Sequence, residues 1–341
     1  MTRSRLAAVV DAALEATVVG SFSRAGYAAR SRLEHWSSPA DLTGRVVVVT
    51  GASSGIGQAA ALELARLGAT LWLVGRDKER IESTARQARA LGAGAAVEPV
   101  ELDIVDADAV SAFAARVGAR HEKLHALVHA AGALFPTYRS APTGDELTVA
   151  TAVVAPFRLT WWLSPLLRRA GDATIVTVSS GGMYSQPFDL EHLEMTPESY
   201  RGTTAYARAK RAQVVLSHEW AHRWGADGVA SYASHPGWVD TPGLATGLPT
   251  FAKLGPLLRT PAEGADTVVW LAAGGARSPD AAPPTTEGFF HDRHRRGEYH
   301  LPWTARGAGP GDGPKLWEWC RAHAGLHGDP PNPAGLTTPP T

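Results

Sequence analysis

Cysteine is almost missing from this chain of 341 residues: Cys320 is the only one. No intramolecular disulfide can form, which fits a reducing cytosol and a cytoplasmic location. Charge of one sign is missing too, because 33 Lys plus Arg balance 33 Asp plus Glu. That balance removes the global electrostatic case for nucleic acid. Long apolar runs are also absent. Leu6–Val10 is the nearest approach at the start, and Asp11 and Glu15 interrupt it. It is too short and too charged for a signal peptide or a membrane span.

What is present suits a globular protein with a sizeable core: 44% of residues are apolar and 19% charged. Residues 1–39 read as a helical extension, with Ala12, Leu14, Val18, Val19, Phe22, Tyr27 and Leu33 on a partly amphipathic helix. Packing on the domain or on a partner subunit, in a homo-oligomer, is the first reading. Peripheral membrane contact is the second, since Arg24, Arg30 and Arg32 lie beside Phe22 and Trp36.

After Pro39 apolar strands and helices alternate. Strands are expected at 45–50, 70–74, 97–102, 124–130, 174–179 and 229–234. Helices are expected at 55–67, through Leu91, and at 107–117, 146–169 and 203–224. Strands apolar on both faces, separated by helices, predict an α/β fold. Its form is a doubly wound, Rossmann-type parallel sheet in three α/β/α layers, with a ligand crevice at the strands' carboxyl ends. The domain is expected over 40–303, with an insert at 183–203 forming part of a substrate mouth. Residues 304–341 are rich in Gly and Pro apart from a short helix at 315–323, and read as a mobile tail or a subunit-contact arm.

The first strand runs into Thr50-Gly51-Ala52-Ser53-Ser54-Gly55-Ile56-Gly57. Gly51 permits a tight turn, Gly55 admits backbone to phosphates, and Gly57 lets the following helix sit close to the sheet. With Ser53, Ser54 and Ile56 these are dinucleotide-binding candidates. The spacing differs from the GxGxxG fingerprint. The second strand ends Val74-Gly75-Arg76-Asp77, where an NAD enzyme usually carries a carboxylate for the ribose. Arg76 there favours a 2′-phosphate, hence NADP over NAD. Asp103, ending the third strand, is a candidate adenine contact.

Tyr206 and Lys210 stand four residues apart on one helix face. Proton donation to an alkoxide suits Tyr206, and the Lys210 cation would lower its pKa. Ser180, at the end of the fifth strand, could hydrogen-bond the substrate oxygen.

The combination resembles the short-chain dehydrogenase/reductase family. The likeness is carried by TGASSGIG (50–57), LDI (102–104), HAAG (129–132), VSS (178–180), YARAK (206–210) and HPGWVDT (235–241). It implies an NADP(H)-dependent oxidoreductase interconverting a carbonyl and an alcohol, with Ser180, Tyr206 and Lys210 catalytic. It also implies that Ala131 and Gly132 touch the cofactor, that Pro236, Gly237 and Thr241 border the nicotinamide, and that Val239 meets its carboxamide through the backbone.

Two positions depart from the family. His129-Ala130 stands where Asn-Asn is usual, and Ala152 stands where an asparagine is usual. That asparagine's backbone carbonyl is thought to hold a water linking the lysine to solvent. These departures motivate an alternative, a nucleotide-binding sensor or scaffold with weak turnover; isomerase or epimerase chemistry is another. An apolar small-molecule substrate is expected, from Phe135, Tyr138, Trp161, Trp162, Met183, Tyr184, Phe188 and Trp238 near likely rim segments. No metal site is read at His291, Asp292, His294 and His300, because Arg293, Arg295 and Arg296 crowd them with positive charge.

Overall fold

The computed structural model describes residues 5–92, 96–247, 253–279, 285–305 and 308–331. Its centre is an eight-stranded sheet in the order β3-β2-β1-β4-β5-β6-β7-β8. The strands are β1 (Val46–Thr50), β2 (Thr70–Gly75), β3 (Val97–Glu101), β4 (Ala126–His129), β5 (Thr174–Val178), β6 (Ala230–Ser234), β7 (Glu287–His291) and β8 (His294–Arg295). All pairs are parallel except β7–β8. Val46–Val49 is buried throughout, as a strand covered on both faces must be.

One layer holds α4 (Gly55–Arg66) and α5 (Lys78–Leu91) with the later α11 (Pro261–Ala272). The other holds α6 (Ala107–Arg120), α8 (Ala155–Ala170) and α9 (Gly202–Trp224). The order reverses between β1 and β4, so the crevice opens where β1 and β4 end, as expected for a doubly wound sheet.

The stretch 146–169, expected as one helix, is interrupted. A short α7 (Leu147–Val149) passes through a π-turn at Ala150–Val154 into α8. The turn is visible as Ala155 N–H donating to Ala150 O, five residues back.

The N-terminal segment is three helices rather than one: α1 (Arg5–Glu15), α2 (Val18–Phe22) and α3 (Arg24–Leu33). Thr17 caps α2 by accepting from Gly20 N–H. Buried ion pairs dock the segment on the domain. Arg30 bonds Asp11 at 2.6 Å and Asp292 at 2.7 Å, with Arg30 and Asp292 each 1% exposed. Leu6, Val9, Val18 and Val19 stay exposed. No described helix is long and apolar enough to cross a membrane.

At the other end, α12 (Asp312–His323) is a packed helix and not a loose arm. Leu316, Trp317 and Cys320 are buried, and Trp317 meets Phe157 of α8 edge-on at 4.9 Å. Residues 332–341 of the expected tail lie outside the described residues. In the 291–300 stretch the candidate ligands have protein partners. Asp292 spends its carboxylate on Arg30 and Arg259, and His294 bonds Glu34.

His129 ends β4 facing the core, not the crevice. Its Nε2 lies 2.7 Å from Thr160 Oγ1 and its ring stacks on Trp220. Burial pushes its pKa down to about 3, so it is neutral in the native state. A depressed histidine contributes stability that is fully present above its unfolded value near 6.5 and fades as pH falls toward about 3. Urea melts should therefore show the parent losing about 2 kcal/mol more than His129→Leu between pH 7 and pH 5. Equal losses in both proteins would mean that His129 is not buried neutral.

Candidate active site

A cavity of about 1000 Å³ follows the carboxyl ends of β1 to β6. Each end contributes a turn: Gly51–Gly57, Gly75–Arg76, Leu102–Val105, Ala130–Phe135, Val178–Gly182 and His235–Val239. It is large enough for a dinucleotide and part of a second molecule.

The glycine turn has a packing reason. Gly51 has φ +68, and a Cβ there would come within 2.7 Å of the Ala131 backbone. A Cβ on Gly57 would lie 2.3 Å from Gly51 O. The turn, the start of α4 and the end of β4 thus meet backbone to backbone. The result directs α4's amino end, with its unpaired N–H groups, into the cavity, which is the chemistry a pyrophosphate needs. Ser53, Ser54, Gly55 and Ile56 line the same wall, and Thr241 closes over Gly55. The residues present fit a dinucleotide.

At β2, a side chain on Gly75 would press on Ser53 and Ile81 at 3.2–3.3 Å. Asp77 is committed elsewhere, capping α5 by accepting from Arg80 N–H. Its other oxygen pairs with Arg80 Nε at 3.3 Å, and Arg76 lines this end of the cavity with an exposed guanidinium. Asp103 lines it next, its Oδ1 accepting from Val105 N–H.

At the opposite end Ser180, Tyr206 and Lys210 converge, while Ser179 turns away to donate its hydroxyl to Lys210 O. Ser180 Oγ accepts from Gly182 N–H, which fixes the hydroxyl at the start of the turn after β5. Lys210 Nζ sits 5.4 Å from the Tyr206 ring centroid, donating to Val178 O at 2.7 Å and Gln213 Oε1 at 3.0 Å.

The electrostatics correct one expectation. Tyr206 is raised rather than lowered: burial pushes it up, and the Ser180 hydrogen bond opposes without winning. Burial brings Lys210 down to about 7. Both shifts favour the neutral forms, so in the protein alone the pair is a proton donor in waiting rather than a phenolate.

Pro236, Gly237, Val239 and Thr241 all border the cavity beside Ser180, as do Ala131 and Gly132. A Cβ on Gly132 would stand 3.4 Å from Lys210 Nζ. Of the expected rim aromatics, Phe135 and Trp238 line the cavity. Tyr138, Met183, Tyr184 and Phe188 do not. Trp161 is buried against Trp317, and Trp162 is 37% exposed on the surface. From the 183–203 stretch, Ser185 and Thr203 reach the wall, while Met183, Tyr184 and Leu193 are buried in packing.

Sequence reasoning missed Val18 and Phe22 of the N-terminal segment, which form part of the wall. Phe22 O accepts from Trp238 N–H, and its ring meets His235 edge-on at 4.2 Å. The alternation of Val18, Val19 and Phe22 marked them as apolar without saying what they would cover. Among the described residues, Asp145, Glu194 and His323 could approach a cation together. However, His323 Nδ1 already bonds Asp145 at 2.6 Å and Glu194 holds Glu146 N–H.

The short chain dehydrogenase family matches residues 45–248. The chain belongs to that family. Human dehydrogenase/reductase SDR family member 12 is 36% identical over 81% of this chain and 85% of its own. That match, over 278 residues, is longer than the region 45–248 covered by the family. Human retinol dehydrogenase 11 is 33% identical over 60% of this chain and 64% of its own. Among solved structures, a short chain dehydrogenase of Shigella flexneri 2a str. 301, complexed with NADP, superposes with TM-score 0.58. It is 25% identical and covers 74% of this chain and 98% of its own. An E. coli oxidoreductase, yciK, gives TM-score 0.60 at 25% identity, covering 75% and 98%. The chain is thus a short-chain dehydrogenase/reductase, an oxidoreductase family using NAD(P) and small-molecule substrates.

Gly57 gives a direct check on the backbone contact. Gly57→Ala keeps helical geometry but drives a methyl into Gly51 O. It should cost about 1–3 kcal/mol of stability and weaken binding of the nicotinamide dinucleotide by ~10-fold or more. Thermal melts and a fluorescence titration measure both. Parent-like values would mean that the turn has room to spare.

Proposed function

We propose that this protein is an NADP(H)-dependent reductase or alcohol dehydrogenase acting on an apolar carbonyl or alcohol. The observation that carries the reading is that Ser180, Tyr206 and Lys210 meet at one end of a cavity whose other end offers Arg76. An anionic cofactor would run from Arg76, past the amino end of α4, to a reacting end beside Tyr206. Asp103 would border the adenine, and the 2′-phosphate would rest on Arg76. Bound NADPH supplies the hydride.

The protein's residues do the rest. Ser180 orients the substrate oxygen with its hydroxyl. Tyr206 donates its proton to that oxygen as negative charge develops, which general acid catalysis makes worth roughly 10²–10⁴-fold. Lys210 then favours the resulting phenolate by its charge, a favour that grows as water is excluded. Gly132 keeps backbone close to Lys210, and Ala131, Pro236, Gly237, Val239 and Thr241 border the cavity. Val18, Phe22, Leu134, Phe135, Trp238 and Leu244 supply apolar wall for the substrate. The name of the human retinol dehydrogenase is in keeping with such a wall.

Two substitutions test the parts separately. Arg76→Ala should weaken NADPH binding by about 1–3 kcal/mol and leave NADH nearly unchanged, read by parallel titrations. Equal loss for both cofactors would refute the 2′-phosphate role. Tyr206→Phe removes one hydroxyl and keeps the ring, so NADPH should still bind while turnover of a carbonyl panel stops. Parent-rate turnover by the Phe variant would remove Tyr206 as the acid.

A further inference from the structure

The family resemblance puts a water against the backbone carbonyl of residue 152. In this chain that carbonyl has a different partner. Gln213 Nε2 donates to Ala152 O at 2.7 Å, and Gln213 Oε1 accepts from Lys210 Nζ at 3.0 Å. Gln213 is 1% exposed and Lys210 4%, so both bonds run through protein interior. The amide's orientation follows from chemistry. A carbonyl can only accept, so the NH₂ must face Ala152 O and Oε1 must face Lys210. The carbonyl is available because its α-helical donor would be residue 156, a proline with no N–H, just after the π-turn at Ala150–Val154.

We propose that Gln213 is a positioning residue of this site, holding the Lys210 ammonium in place through an amide bridge to the Ala152 carbonyl. The inference rests on the catalytic reading of Lys210 above. Its physical content is the coordination of one buried cation. Val178 O and Gln213 Oε1 take two of the three ammonium protons. The backbone at Gly132 approaches on another side. Tyr206, on the same helix, is the titratable group against it. β4 and β5 bring backbone atoms and the Ser179 and Ser180 hydroxyls, and the π-turn brings the bridged carbonyl.

Burial alone drives the Lys210 value down, so each acceptor matters for keeping it charged. The bridge spans from α9 to the π-turn, so it also fixes the distance between the helix that carries Tyr206 and the one that walls the crevice. An asparagine at 152 is not needed for this purpose, because the carbonyl already has a donor. Ala152→Asn should accordingly leave kcat unimproved.

The test uses the full chain with Gln213→Met, which keeps roughly the side chain's length and removes both bonds. Gln213→Asn keeps the amide but shortens it by one methylene. Two readouts are taken: steady-state kinetics with NADPH and a carbonyl substrate, and the pH titration of the Lys210 Cε resonance in ¹³C-lysine-labelled protein, assigned with Lys210→Arg. With the bridge, Gln213→Met lowers kcat roughly 10-fold or more while the NADPH dissociation constant moves far less. The Lys210 titration falls by about one pH unit. Gln213→Asn falls between parent and Met in both. A Lys210 titration and kcat that match the parent in whichever variant melts like the parent would overturn the role. If the parent turns over no substrate, the catalytic reading fails, and the Lys210 titration still decides the bridge by itself.

Discussion

The buried carboxylate of Asp292 is the centre of the ion pairs that join the N-terminal helices to the rest of the chain, with Arg296–Asp11 and His294–Glu34 beside it. Both Asp292 oxygens are taken by arginine: Arg259 at 2.5 Å and 2.9 Å, and Arg30 at 2.7 Å. All three side chains are 1% exposed. Asp292 and Arg293 form the two-residue turn between β7 and β8, with φ of +53 and +58, where glycine or asparagine would be usual. The ion pairs are what hold non-glycine residues there. Arg259 also donates to Ser21 O, Phe22 O and Pro236 O, so one cluster fixes the N-terminal helices, the β7–β8 hairpin and the loop after β6. A buried pair of this kind adds little net stability over apolar packing, yet breaking it would leave a buried charge at about 3–5 kcal/mol. Its value here is geometric: it determines which residue becomes the cavity wall.

That residue is Phe22. Behind it His235 and His291 stack at 4.7 Å, and burial lowers both below their ordinary range, His291 to about 4. Neutral rings let this side of the cavity stay apolar beside the Asp292 cluster. The other charges are placed along the cavity's length. Arg76 is exposed at one end, and Lys210 is buried at the other. An anionic, solvated group and a reacting centre that must shed water would each find the environment they need.

Much of this was legible in the sequence because it depends on local chemistry. The all-buried Val46–Val49 run reads as a parallel strand, and the glycines at 51 and 57 read as a turn against backbone, which the Ala131 and Gly51 contacts explain. Tyr206 and Lys210 are neighbours by helical spacing alone. The parts that could not be read depend on contacts between segments far apart in the chain. Nothing in Arg30 announces Asp292, 262 residues later. Trp161 sits where an apolar rim residue could stand, and only the packing of α12 makes it core. In the helical pattern of 146–169 the apolar spacing does not reveal the π-turn, because a one-residue widening leaves it nearly intact; Pro156, which has no N–H to donate, is the one local sign of the break. The direction of the Tyr206 shift was misjudged because a charge four residues away is visible in sequence, whereas desolvation is not.

The departures from the family pattern show the same limit from the other side. Read along the chain, alanine at 152 is the loss of a polar group behind the lysine, and glutamine at 213 is an unremarked helix residue. In space they are one arrangement. The amide at 213 reaches the carbonyl at 152, which Pro156 leaves without a helical donor, and Lys210 lies against its oxygen. A water in that place could exchange and carry protons, whereas a side-chain amide in a packed interior is fixed and does not readily do so. The bridge is thus a rigid link. It favours exact placement of Lys210, at the end of the cavity where Tyr206 and Ser180 stand. His129 fits the same account: where the family has a polar asparagine, this chain turns a neutral imidazole into the core against Thr160 and Trp220, away from the chemistry.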